Sequence, residues 1–221
     1  MFVREDGSGR GLLSGKRGFT LIEMAIVLII IGIIIGAVVK GKDLIRSSEQ
    51  KKIYTKFINA WRLSYLNFYD RTGKVLGDTY DDDNTTAGQD GRADTAACAA
   101  GAPSDAGRDD LIDGCANAYG LSQVGLEAPA TNTNDNWKYK YGDSCGSSHD
   151  LTISFEFDAT NNYNYMWIEN IPNELAIALD TMIDGEADGQ NGDFLHGDGT
   201  NDWGTAPCTD AANDVRWKMQ F

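Results

Sequence analysis

The sequence predicts an α+β protein: a long amino-terminal helix, hydrophobic in its first half and amphipathic in its second, packed on a carboxy-terminal antiparallel sheet. Three observations predict it. The first is an apolar run from Phe19 to Val39 whose sole ionisable side chain is Glu23. The second is a stripe at helical spacing, Ile53, Phe57, Ala60, Trp61, Ser64, Tyr65 and Phe68. The third is a set of alternating segments late in the chain: Trp137 to Tyr141, Leu151 to Phe157, Tyr163 to Ile168 and Val215 to Phe221.

The apolar run extends over 21 residues. At about 1.5 Å of rise per residue it just spans a hydrocarbon core of about 30 Å. A carboxylate in such a segment costs about 2.5 kcal/mol or more at the bilayer centre, so Glu23 needs a partner and marks a functional site. Lys16 and Arg17 stand before Gly18. A cut between Gly18 and Phe19 would create an amine four residues before Glu23, a ready counter-charge in the same chain or in a neighbouring copy. No proline falls between residues 19 and 70, so one helix is expected to about Tyr69, with Gly41 its weak point. Its aromatic stripe is read as core packing, not as an electron path.

The stretch Gly18-Phe19-Thr20-Leu21-Ile22-Glu23, followed by an apolar helix, resembles the class III signal of type IV prepilins and type II secretion pseudopilins. The resemblance covers the leader and the apolar helix and does not reach far beyond them. It implies that a prepilin peptidase cuts after Gly18 on the cytoplasmic side and that Phe19 becomes N-methylated. It implies that Glu23, at the fifth mature position, helps each subunit dock into a helical filament. The partners implied are copies of this chain, other pilins or pseudopilins, and an assembly platform in the inner membrane. Where many pilins carry a proline kink this chain has Lys40, so no kink is expected there. An ordinary secretory signal has an apolar region of about 7–15 residues with its cleavage site after it. Here the run is longer and the glycine precedes it.

The expected organisation is a leader over 1–18, a membrane or filament-core helix over 19–40, and a head over 41–221 that includes the second half of the helix. The expected location is the inner membrane, single-pass, and afterwards a periplasmic or extracellular filament. The formal charge is −14; the leader holds four basic and two acidic residues, so its loss gives −16. Such acidity argues against a general electrostatic grip on nucleic acid, which needs Lys and Arg to replace phosphate counterions.

The four cysteines, Cys98, Cys115, Cys145 and Cys208, suit disulfides in an exported head and allow three connectivities. The preferred pairing is Cys98–Cys115 with Cys145–Cys208. Zinc has only Cys145 and His149 at ligand-like spacing. The segment from Asp70 to about Ala106 reads as a surface loop with clustered carboxylates at Asp81, Asp82 and Asp83. A short helix or turn around Asp109 to Leu126 follows and offers Leu111, Ile112, Tyr119 and Leu121 to the core. A second helix is expected from about Pro172 to Ile183, with Leu175, Ala178, Leu179, Met182 and Ile183 as its apolar face and Pro172 in its first turn.

One candidate ligand site stands out. Asp184, Glu186, Asp188 and Gly189 reproduce the opening of a calcium loop, with oxygen ligands at positions 1, 3 and 5 and glycine at 6. The twelfth position is Leu195, where an EF-hand places a bidentate glutamate, so an adapted loop would recruit Asp193, Asp198 or Asp202. Structural calcium and a solvated acidic loop both stand as readings; no other cofactor is expected. No nucleophile elbow, P-loop or histidine pair organises a catalytic set, so the chain reads as a structural protein, not an enzyme. The leading expectation is a filament subunit of a type IV pilus or a type II secretion system. The competing one is a minor pilin whose head binds a substrate, a surface or DNA.

Overall fold

The computed structural model describes residues 18–78, 90–94, 105–114, 119–204 and 213–219, with side chains of the third stretch from Arg108 onward. Contacts divide the chain into two compact units that part between Arg46 and Ser47. Helix α1 runs from Leu21 to Ile53, through Lys40 and Gly41. A π-turn, Tyr54–Ile58, leads directly into α2, Asn59–Thr72. The helix ends later than the expected Tyr69. Its stop is Gly73, whose φ of 70° is left-handed and whose N–H returns to the Tyr69 carbonyl at 2.7 Å.

Among the described residues of the second unit, five strands form one antiparallel sheet in the order β1-β2-β3-β5-β4. They are β1, Lys138–Gly142; β2, Ser148–Asp158; β3, Tyr163–Ile171; β4, Phe194–His196; and β5, Asn213–Lys218. The register places Ile153 opposite Ile168, Phe155 opposite Met166, and Trp217 opposite both Met166 and Phe194. These residues share one face, and alternation puts Glu156, Tyr165, Trp167 and Arg216 on the other. Strand β4 was not expected. Three residues inside an acidic, glycine-rich segment are too few to display a period.

The buried stripe of the helix lies on the first face of the sheet. Phe57 meets Tyr139 at 5.1 Å between ring centroids, Tyr65 meets Phe155 at 4.9 Å, and Trp61 meets Phe155 at 6.2 Å. The π-turn changes which residues point inward. An extra residue in the turn brings the adjacent Phe57 and Ile58 both into the core and leaves Ala60 only half-buried.

The middle of the chain departs from expectation. Helix α3 spans Asp105–Asp113, earlier than the predicted Asp109, and a 3-10 turn follows at Ser122–Val124. Leu111 and Leu121 are buried as expected, but Tyr119 is 55% exposed and lies under the Lys74 ammonium. A hydrogen bond from Trp137 Nε1 to Asp109 ties α3 to the sheet at 2.7 Å. Helix α4 is Asn173–Ile183, with Pro172 as its N-cap and not in its first turn. Its buried residues are Asn173, Leu175, Ala176, Leu179 and Asp180, so the face is turned toward Ala176 and away from Ala178.

The outer edge of β1 is covered by side chains. Asn132 donates its amide to the Lys140 carbonyl and accepts the Lys140 N–H, both at 2.8 Å. Thr131 and Thr133 each donate to the Lys138 carbonyl. Beyond the end of β1, residues 90–94 reach the sheet through an Asp94–Glu156 bridge and the side chain of Asn164, which accepts the Ala93 N–H and donates to the Gly91 carbonyl.

Asp78 is buried beside this segment, and its Oδ2 accepts the Gly91 N–H at 2.8 Å. Burial pushes its carboxyl up to about 6, helped by the negative neighbours Asp90 and Asp94. A raised carboxylate favours the folded state when protonated, so its contribution is full below about pH 4 and is lost as pH rises through about 6. Asp78→Asn should therefore match the wild-type chain near pH 4 and be more stable above pH 7, by on the order of 2–3 kcal/mol. Denaturant titration of both chains across that range measures the difference.

Candidate functional site

The amino-terminal site begins in local geometry. Thr20 directly precedes α1, and Glu23 is in the first turn. Glu23 Oε2 accepts the Thr20 N–H at 2.7 Å and the Thr20 hydroxyl at 2.8 Å. In return Thr20 Oγ1 accepts the Glu23 N–H at 3.2 Å. This is a reciprocal capping box, and it satisfies donors that the first helical turn leaves without partners. Its sequence signal, Thr-x-x-Glu before an apolar run, is visible in residues 20–23, and Thr20 is the site residue that sequence reasoning missed.

The capping box holds the Glu23 carboxylate toward the start of the helix, next to Phe19 and Gly18. Phe19 is 79% exposed, and nothing lies within 4 Å of where a Cβ on Gly18 would be. The helix that follows is long and apolar enough to cross a membrane, and its apolar side chains from Leu21 to Val39 are all exposed. Lipid or other helices must cover them, because an apolar surface of this extent is unfavourable in water.

The acidic loop after α4 is organised by an interior carboxylate. Asp180 is fully buried; its Oδ2 accepts Trp203 Nε1 at 2.6 Å and the N–H groups of Asp188 and Gly189 at 3.0 and 3.2 Å. Asp184 Oδ2 accepts the N–H groups of Asp193 and Phe194 at 2.9 and 2.8 Å. Asp188 closes a turn on Gln190 and Asn191, and these bonds, from Asn191 first, hold its carboxyl below the usual range. The same Asp-x-x-Asn turn recurs at Asp158–Asn161 and Asp198–Asn201.

Asp184, Glu186 and Asp188 line one concavity together with Asn191, whereas Asp193 lines a different one beside Arg62 and Lys218. Among the described residues no three His, Cys, Asp or Glu side chains come together as a metal-ligand group. The glycines of the loop serve close packing. A Cβ on Gly189 would stand 3.1 Å from the Trp203 ring, and one on Gly192 would overlap the Asp184 carboxylate. Cys145 is disulfide-bonded, which removes it as a thiolate partner for His149; Cys98, Cys115 and Cys208 lie outside the described residues.

Residues 13–39 match the family model of the prokaryotic N-terminal methylation motif. The chain carries the amino-terminal signal of type IV pilins and pseudopilins. No curated protein and no solved structure matches it. The motif ends at Val39, so the fold of the remainder rests on the structure itself, a long amino-terminal helix followed by a five-stranded antiparallel sheet in a pilin-like arrangement.

Two predictions concern the acidic loop. Asp180→Ala strands Trp203 Nε1 and two backbone N–H groups in the interior and should lower stability by about 2–3 kcal/mol. Asp180→Asn, which keeps an acceptor oxygen, should cost less than half of that; thermal unfolding of the full chain in detergent compares them. If the loop takes calcium, the ion raises the melting temperature by linkage, and Asp184→Ala combined with Asp188→Ala removes the rise. An unchanged melting temperature assigns these carboxylates to turn formation alone.

Proposed function

We propose that the chain is a structural subunit of a type IV pilus-like or type II secretion filament, processed between Gly18 and Phe19 and assembled through its amino-terminal helix. The observation that carries this reading is the methylation motif on a helix whose apolar side chains are exposed among the described residues. The reading assigns N-methylation to Phe19 and docking to Glu23. Its partners are a prepilin peptidase, an inner-membrane assembly platform, copies of this chain and other pilins or pseudopilins.

The mechanism follows from two solvents. Before assembly the apolar helix rests in the inner membrane, and the capping box supplies Glu23 with two donors from its own chain. That internal satisfaction lowers the penalty of holding a carboxylate at the membrane without a partner. After cleavage, the new amine at Phe19 offers a full positive charge. Helices extracted into a filament core cover each other's apolar faces, and Glu23 pairs with an amino terminus there. In this reading no step is catalysed by the chain.

Mass spectrometry of the membrane-extracted protein should find a chain that begins at N-methylated Phe19; retention of Met1 to Gly18 would sink the processing step. Glu23→Ala should still be inserted and processed, because it removes a membrane penalty and leaves the second unit's core residues unchanged. Filaments built from it should be few or absent in the sheared fraction, since the amino terminus is then uncompensated in an apolar core. A wild-type yield of filaments from Glu23→Ala would show that the pairing is dispensable.

A further inference from the structure

The end of the sheet where β3 begins and β5 ends holds two neighbouring concavities that share Tyr163 and Met219. The larger is about 560 Å³. Arg62 of α2 and Lys218 of β5 line it, with Asn161 from the β2–β3 turn, Tyr163, and Asp193 just ahead of β4. The Arg62 guanidinium lies 5.1 Å above the Trp217 ring, and its Nε is buried without a hydrogen-bond partner. Lys218 Nζ donates to the Gly192 carbonyl at 2.6 Å and sits 5.6 Å from the centre of the Tyr163 ring. Among the described residues neither cation has a carboxylate within ion-pair distance. In a chain of net charge −14 that is an unusual arrangement.

The charges settle the class of guest. Among the described residues Asp193 is the carboxylate that lines this concavity, and it is exposed, so water and salt screen it. Arg62 is half-buried with an Nε that has no hydrogen-bond partner among the described residues, and the guanidinium fork matches the planar geometry of a carboxylate. A carboxylate alone leaves most of the volume empty. Tyr163 offers ring surface, and Asn161 and Asp193 offer partners for hydroxyl groups. The volume falls in the range of small-molecule sites, about 300–1,000 Å³.

The second concavity repeats the constellation with its charge cancelled. Arg92 lies 4.7 Å above the Phe157 ring, and Asp90, 3.8 Å away, pairs with it; Asn162 lines the same wall. A neutral polyhydroxyl group suits it. An extended polyanion does not, because the overall negative charge of the chain repels a second and third anionic group.

We propose that this end of the sheet binds an acidic saccharide: a uronic-acid residue whose carboxylate meets Arg62 and Lys218, joined to a neutral sugar against Arg92 and Phe157. The site does not depend on filament formation, and its test is made on the unassembled chain. Calorimetry and saturation-transfer NMR on the full chain in detergent would use glucuronate, galacturonate and mannuronate, with glucose and acetate as controls. At least one uronate should bind, and glucose and acetate should bind about tenfold more weakly or not at all. Arg62→Gln should weaken the uronate about tenfold or more while the melting temperature holds. Should that variant unfold, Lys218→Gln carries the same expectation. Binding should also weaken with added salt. Absence of binding by all three uronates overturns the proposal. So does acetate binding as well as a uronate, which would make this a bare carboxylate site suited to an acidic side chain of a second copy. Unchanged uronate affinity in both variants overturns it as well.

Discussion

One helix must satisfy two solvents, and the rest of the structure depends on that constraint. From Leu21 to Val39 its apolar side chains are exposed; from Ile53 to Phe68 a stripe of the same helical run is buried at or near 0% exposure. A helix can pass between such environments because its backbone hydrogen bonds are internal wherever it lies. Only its ends need outside help. Thr20 and Glu23 supply it at the start, and Gly73 supplies it at the finish. The sheet then exists to meet the second stripe. The faces of β1, β2, β3 and β5 that carry Tyr139, Phe155, Met166 and Trp217 are the ones that close the core.

The parts of this arrangement legible in the sequence are those set by local period. Alternation found β1, β2, β3 and β5, and helical spacing found the stripe through Phe68. What stayed hidden was set by contacts between distant segments. Strand β4 exists because it pairs with β5, where the Lys218 N–H reaches the Asp193 carbonyl and the Gly197 N–H reaches the Asp214 carbonyl, and three residues cannot announce that by pattern. The face of α4 was legible in part: Leu175, Leu179, Met182 and Ile183 meet the core as expected, but the buried Asp180 also belongs to it, and apolar periodicity leaves a carboxylate out. The π-turn at Tyr54–Ile58 likewise has no composition signal; it is visible only once Phe57 and Ile58 both have sheet to cover.

The amino-terminal site was legible down to the junction of Gly18 and Phe19, and its missing member, Thr20, was present in a known helix-start pattern. The acidic loop is a different case. Aspartates spaced by two residues among glycines suit calcium, and they suit turns in which an aspartate accepts the N–H groups two and three residues onward. The sequence holds that second pattern at Asp158, Asp188 and Asp198, each with an asparagine three residues later. The geometry of all three turns agrees, and the asparagine side chain closes each of them. The anchor of the acidic loop, the bond from Trp203 Nε1 to Asp180, joins residues distant in sequence and is invisible to a window of a few residues.

The covered edge of β1 has a consequence for crowding. An amide side chain presents the same donor and acceptor as a peptide group, so Asn132 acts as a strand one residue long laid against Lys140. A sheet edge left bare is a template on which another chain can add a strand, and many identical copies held close together are the worst case for it. Thr131, Asn132 and Thr133 occupy that template with side chains that carry no strand beyond them. At this edge a second copy is thereby kept from adding a strand backbone to backbone, and any contact made there must be written in side chains, which can be specific and can also be undone.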